Sequence, residues 1–385
     1  MSAPALHVGR PAVRIRGTTY PILLPRLRDP RLHLAAVIVS LQVLGQVAFD
    51  FTLSIAQILI SLLTCAAIEV VIAFRRQHVI LWPASALLTG NGVAFVLRVP
   101  GTEHGDWWSL HGWWIYAGTA AVALLSKYLI RFDGRHVFNP SNVGLVLCFL
   151  LLGPERADPL ALWWGPLTPW MVLALAIIVA GGLAILGRLE LLSIAVAFWV
   201  AFAAGLSVLA LSGHEMTARW HLGAMTGFEF WRVLVLSPEI LVFLFFMISD
   251  PRTIPTSPTG RRVYAVAVAL VAVLLIAPFT TEFATKVAVL GALTIVCAAR
   301  PVLLLVQRSR GHGTATAFVP RSRLGVGAAA VGGVAAFAGA LVLAGIPARP
   351  STAVALAADV EATELPEITV AASDGVATTI DDSLA

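Results

Sequence analysis

The sequence predicts an all-α polytopic membrane protein, and three observations carry that prediction. Hydrophobic residues make up 58% of the 385 residues and charged residues only 12%, with a mean hydropathy of +0.88. A soluble domain carries about 25% charged residues. Apolar runs of bilayer-spanning length, about 20 residues, recur along the chain. Lys and Arg then collect in the loops of one side. A water-soluble enzyme is excluded. The net charge of +5 comes from arginines scattered through short loops, so it argues orientation and not a nucleic-acid surface.

Residues 1–31 carry Arg10, Arg14, Arg16, Arg26 and Arg28 ahead of the first apolar run and read as a basic cytoplasmic tail, not a cleavable signal. Spans follow near 32–49, 51–74, 80–98, 109–130, 141–153, 167–187, 190–211, 228–249, 262–279, 284–306 and 324–346. The run at 141–153 is short for a bilayer, which predicts a broken or tilted helix. With the N-terminus inside, all 26 Lys and Arg fall on the inner side except Arg98, Arg156, Arg219, Arg232, Lys286 and Arg349. Trp107, Trp108, Trp113, Trp114, Trp163, Trp164, Trp170, Trp220 and Trp231 gather near the opposite interface, as aromatic anchors do.

The last third differs. Residues 308–346 form a basic linker and an eleventh transmembrane helix, and 347–385 read as a disordered acidic tail outside the membrane. If 324–346 were a re-entrant or surface helix, that tail would lie inside. Cys65, Cys148 and Cys297 stand apart in apolar stretches with no ligand spacing, so no metal site is expected. Nor does any nucleophile elbow, zinc-protease or phosphate-loop pattern appear, so no catalytic residue is assigned.

Two expected cytoplasmic turns are dense in polar residues. In Gly134-Arg135-His136-Val137-Phe138-Asn139-Pro140-Ser141-Asn142, Asn139 and Pro140 read as a cap and an N1 proline that leave a positive helix end beside Arg135 and His136. In Ser249-Asp250-Pro251-Arg252-Thr253 and its continuation to Arg262, prolines hold the loop extended and hydroxyls flank arginines, a plausible phosphate site. The plainer reading is that both are helix stops and positive-inside anchors. Within the spans, Glu69 and Glu239 are intramembrane acids, which cost about 2.5–3.5 kcal/mol at a bilayer centre unless compensated. Glu239 and Asp250 would share a helical face about 16 Å apart, lining a polar seam. The histidines of the outer loops, His104, His111, His214 and His221, receive no role.

Four segments in order resemble the RnfD/NqrB family of bacterial membrane electron-transport subunits. They are Glu69 followed by Arg75 and Arg76, Ala84–Gly90, Phe138–Ser141 and Phe246–Thr253 with Pro255–Arg261, within residues 30–305. The resemblance implies a ten-helix bundle of two inverted five-helix halves in the bacterial inner membrane, bearing flavin in a redox complex with other membrane subunits. Spans 80–98 and 228–249, third in their halves, run in opposite directions, as inversion requires. Family members attach FMN to a threonine in a Ser-Gly-Ala-Thr sequence after the fifth span. Here that loop is Gly153–Pro159 and holds no hydroxyl, while Thr168 and Thr226 lack the motif, so covalent FMN is not expected.

The expected cofactor is therefore FMN or riboflavin held non-covalently, or none, with Arg135, Asn139, Ser141, Asn142, Asp250, Arg252 and Thr253 as its binding residues. A looser resemblance, through Gly134–Asn142 and Trp163-Trp164-Gly165-Pro166 with Trp170, points to membrane proteins associated with enediyne biosynthesis. The competing readings are a transporter or export component with Glu69 and Glu239 along a solute path, and a scaffold docking soluble enzymes at its basic face.

Overall fold

The computed structural model describes residues 11–25, 29–162, 167–309, 370–371 and 377–378. Among these residues ten helices follow one another: α1 Pro30–Ala48, α2 Ile55–Gln77, α3 Ala84–Val96, α4 Trp113–Leu129, α5 Pro140–Leu152, α6 Pro169–Arg188, α7 Leu192–Leu211, α8 Gly227–Met247, α9 Pro258–Ile276 and α10 Glu282–Ser309. Seven of them (α1, α2 and α6 to α10) are long and apolar enough to cross a membrane. Each of the ten lies on one of the first ten expected apolar runs, with ends displaced by about four residues or fewer. The eleventh run, 324–346, lies outside the described residues. So does most of 347–385, of which Val370–Ala371 pairs antiparallel with Ala377–Thr378.

Local chemistry sets the helix starts. Asp29, Asn139, Thr168 and Ser257 each cap a helix through a side-chain oxygen and precede an N1 proline. Ser54 and Gln57 form a capping box on α2, and the Gln57 amide reaches on to Thr102 Oγ1 at 2.9 Å and His111 O at 2.8 Å. One side chain thus closes a helix and pins the long loop between α3 and α4.

Two helices are short and two are irregular. At 13 residues each, α3 and α5 reach about 20 Å, less than the roughly 30 Å hydrocarbon core. The chain leaves α3 as an extended pair, Leu97–Arg98, bonded antiparallel to Asp158–Pro159. Leu97 is fully buried, so this non-helical backbone is satisfied inside protein. α2 ends in a π-turn at Ala73–Gln77, and α8 breaks at Leu236–Ser237, restarts on the Ser237 cap and ends in a second π-turn at Phe243–Met247.

Packing is close where side chains vanish. A Cβ on Gly90 would lie 2.5 Å from Ser61 O, and one on Gly144 would lie 2.6 Å from the Ala123 Cβ, so α3 meets α2 and α5 meets α4 nearly backbone to backbone. Large apolar side chains also point outward: Leu151 is 79% exposed and Leu211 89%. Such a surface suits lipid, not water. Of the expected aromatic anchors, Trp107, Trp108, Trp113, Trp114, Trp170 and Trp220 are exposed, while Trp231 turns inward and donates to Ala203 O; Trp163 and Trp164 lie outside the described residues.

The segment read as a basic tail is folded where it is described. Strands β1 (Ala12–Ile15) and β2 (Thr18–Leu23) form a hairpin, and β2 pairs in parallel with β3 (Ile80–Leu81), just after α2. Arg16 and Gly17 both take positive φ, 46° and 84°, the two-residue turn that a hairpin's twist favours. An arginine in a turn position that usually holds Asn, Asp or Gly gives little sequence warning of this turn.

Candidate functional site

A cavity of about 750 Å³ opens where α3, the α4–α5 turn and the turn after α8 converge, closed on the remaining sides by α1, α6 and the hairpin end Leu23–Pro25. One wall is apolar, from Leu34, Ile38, Phe95, Ile185, Phe245 and Phe246. The polar lining comes from Arg31, Glu69, Lys127, His136, Asp250 and Arg252. The polar wall is built from two clusters.

The first cluster centres on Glu69, which is 5% exposed on α2. Its Oε2 accepts from the Ala86 backbone N–H at 3.0 Å, at the start of α3, where free amides favour an anion. Its Oε1 accepts from Lys127 Nζ at 2.5 Å and from the Tyr128 hydroxyl at 3.0 Å, and Lys127 also donates to Ser85 Oγ at 2.9 Å. In the sequence Lys127 counts only among the inner-side charges. The expected lone acid in the span therefore has a partner 58 residues away.

The second cluster joins the two polar turns. His136 Nε2 lies 3.0 Å from Asp250 Oδ2, Asn139 Nδ2 donates to Met247 O at 3.0 Å, and Arg135 Nη2 donates to Pro251 O at 2.6 Å. Asp250 is held in turn, since its Oδ1 accepts from the Arg252 backbone N–H at 2.9 Å. His136, expected only to flank the helix end, is the group that meets Asp250. Three contacts across more than 100 residues of sequence bring the turns to one end of the bundle.

The expected binding residues divide into two groups. Asn139, Ser141, Asp250 and Arg252 line the cavity, as does Glu69. Arg135, Asn142 and Thr253 stand behind it as supports. Asn142 is buried and donates to Leu290 O and Thr294 Oγ1 on α10. Thr253 bonds back to Asp250 O while its own carbonyl accepts from Arg300 at 2.8 Å.

Glu239 belongs elsewhere. It lines a separate cavity of about 70 Å³ with Leu160, Leu162, Thr285 and Lys286. Lys286 Nζ sits 2.8 Å from Glu239 and 2.5 Å from Glu282, and Glu239 also accepts from the Leu162 backbone N–H at 2.8 Å. The shared helical face expected for Glu239 and Asp250 is lost, because the π-turn between them shifts the phase and Asp250 lies beyond the helix. The two cavities share Val96, Val242 and Met247 as lining.

Outside the spans three groups are perturbed, the first of them Asp29, whose carboxylate is held below its ordinary range by the Arg31 side chain that donates to it. Burial raises the Asp158 carboxyl despite the opposing charges of Arg219, Lys286 and Arg98. Burial lowers His214, packed on Phe230, to about 4. Of the two threonines without the attachment motif, Thr168 Oγ1 caps α6 and Thr226 lies in a short strand before α8. Among the described residues no group of three or more His, Cys, Asp or Glu is placed to hold a metal. No protein-family model and no curated protein matches the chain.

Proposed function

We propose that this chain is an RnfD/NqrB-like membrane subunit whose larger cavity holds a flavin, FMN or riboflavin, without a covalent link. The observation that carries the reading is the joining of the Asn139 and Asp250 turns on the wall of one cavity of about 750 Å³. That volume suits a cofactor of this size, since small-molecule sites run to about 300–1,000 Å³. The apolar wall fits a planar ring. Arg252, Arg31 and Lys127 fit a phosphate or the ring's carbonyl oxygens. A bound flavin would supply electron transfer between companion subunits. On the chain's side, Phe245, Ser141, Arg252 and Asn139 would hold the ring, and Arg135, Asn142 and Thr253 fix the polar turns.

The same reading takes the bundle as two inverted halves. Its support is the pairing of helices: α2 packs on α4 as α7 packs on α9, α4 on α5 as α9 on α10, and α1 on α3 as α6 on α8. Five crossings per half, an odd number, would leave the second half upside down. The turns with Asn139 and Asp250 would then face the cytoplasm of a bacterial inner membrane, as loop arginines argue.

The experiment is purification of the full chain in mild detergent, with an absorbance spectrum before and after acid precipitation. A flavin spectrum that moves to the supernatant supports non-covalent binding. A colourless protein, even from cells that also express its neighbouring genes, removes the reading.

A transport role, in electron-independent export for a natural-product pathway, is the second reading. It is favoured by the apolar layer that Val96, Val242 and Met247 form between the two cavities, each of which has a Glu–Lys pair at its edge. Proton flux in proteoliposomes, followed with an internal pH dye, tests it: Glu239→Gln should abolish the flux, and unchanged flux removes the role.

A further inference from the structure

Two neighbouring segments at the end of α2 carry four arginines and no acid. Arg14 and Arg16 stand on the β1–β2 hairpin and Arg75 and Arg76 in the π-turn that ends α2, while residues 11–25 and 73–82 contain neither Asp nor Glu. The sheet and one ring stack join the segments. β2 pairs in parallel with β3 through Ile22↔Ile80 and Leu23↔Leu81, and the buried Tyr20 stacks at 4.7 Å on Phe74, the residue before Arg75. Val13 lies opposite Tyr20 and Arg14 opposite Thr19, so β1 presents an apolar side chain on the Phe74 face and a charge on the other.

These arginines differ from others at the same end of the bundle. Arg31 is held by Asp29, Arg131 by Gly134 O, Arg135 by Pro251 O, Arg261 by Pro255 O and Glu190 O, and Arg300 by Thr253 O. Arg14, Arg16, Arg75 and Arg76 are all exposed, and none has a hydrogen-bond or ion-pair partner among the described residues. None of them lines the larger cavity. Four like charges gathered without an acid repel one another, and a counter-charge from outside the chain relieves that repulsion.

Position says where that counter-charge lies. At 23 residues α2 is about 34 Å long against roughly 30 Å of hydrocarbon, so as a bilayer span it brings Arg75 and Arg76 out at headgroup level. Apolar side chains beside the charges suit that level, since Val13, Leu24, Phe74 and Trp82 are all exposed. Leu24 and Trp82 also border the larger cavity. We propose that the hairpin and the π-turn of α2 form a docking surface for anionic phospholipid, with the four guanidinium groups on its headgroups and Trp82 and Leu24 at the acyl boundary. A lipid accounts for both the unpaired charges and the apolar side chains between them. Guanidinium matches phosphate geometry, and clusters of four or more basic residues beside a span attract anionic lipid. The surface is separate from the flavin reading and holds whatever fills the cavity.

The test uses the full chain in mild detergent with an environment-sensitive dye on Thr18→Cys, at the hairpin turn. Cys65, Cys148 and Cys297 are buried, which directs a water-soluble maleimide dye to the turn. Phosphatidylglycerol is titrated in mixed micelles, with zwitterionic phosphatidylcholine as the counterpart. A saturable blue shift is expected with phosphatidylglycerol and none with phosphatidylcholine over the same range. Arg14→Gln with Arg16→Gln, and separately Arg75→Gln with Arg76→Gln, should each raise the half-saturating concentration about 25-fold, the change for two charges at about 1 kcal/mol each. Arg188→Gln with Arg262→Gln, two exposed arginines at the same end but off this surface, should leave it unchanged. No response to phosphatidylglycerol, or an equal response to both lipids, would overturn the surface. So would a parent-like titration of either double variant on it, or equal weakening by the Arg188 and Arg262 pair.

Discussion

The two Glu–Lys clusters of this bundle share their chemistry and differ in their surroundings. Glu69 and Lys127 stand on the wall of a cavity of about 750 Å³ with Ser85, Tyr128 and a helix start as further partners. Glu239 and Lys286, the latter also paired with Glu282, border a space of about 70 Å³ whose remaining lining is apolar except for Thr285. The second setting leaves little room beside the ion-paired neighbours, whereas the first leaves space next to the charge that a ligand could fill. The contrast teaches that a buried acid in a span is not by itself a functional signal, and that the room beside it decides.

The comparison can be broken in order of expected effect. Lys286→Met leaves Glu239 and Glu282, both largely shielded from solvent, without this cation, and should cost about 3 kcal/mol, seen as loss of a folded peak in size-exclusion chromatography. Acidification comes next. The unfolded chain protonates His214 as pH falls through about 6.5, while the folded chain resists until about 4, so its stabilisation is whole above 6.5 and is lost between those values. The loss should approach about 3 kcal/mol, and His214→Leu should flatten the fall in melting temperature over that range.

The smaller effects sharpen the contrast. Glu69→Gln keeps one acceptor oxygen, enough for the Ala86 amide or for Lys127 and Tyr128 but not for both, and leaves the lost bond beside a cavity with room for water; it should cost about 1–2 kcal/mol, in a melting curve read beside that of Lys286→Met. A loss as large as that of Lys286→Met would make the two clusters equivalent. Arg252→Gln, on an exposed turn, should shift stability by about 0.5 kcal/mol or less while weakening flavin binding. A destabilised Arg252→Gln protein would make that residue a fold element.

Sequence made the helices legible because apolar runs of this length have one stable solution in lipid, and it placed all ten within about four residues. The cap at Asn139 with Pro140 was legible for the same local reason. Partners across the bundle were not. Lys127 meeting Glu69, His136 meeting Asp250 and Lys286 meeting Glu239 are set by packing between segments 47 to 114 residues apart, which periodicity does not report. The seam from Glu239 to Asp250 failed because it assumed a uniform 3.6-residue helix. Breaks marked by Ser237-Pro238 could have warned of this; the π-turn at Phe243–Met247 leaves no trace in composition.

The central claim is that the joined Asn139 and Asp250 turns form a ligand wall, and Glu239 does not. Titration of riboflavin and FMN into the purified full chain, followed by quenching of flavin fluorescence, tests it most directly. Saturable quenching at one flavin per chain is expected, weakened about tenfold by Asp250→Asn, as for loss of one charge-assisted contact, and unaffected by Glu239→Gln. No saturable quenching, or equal weakening by both substitutions, would contradict the account.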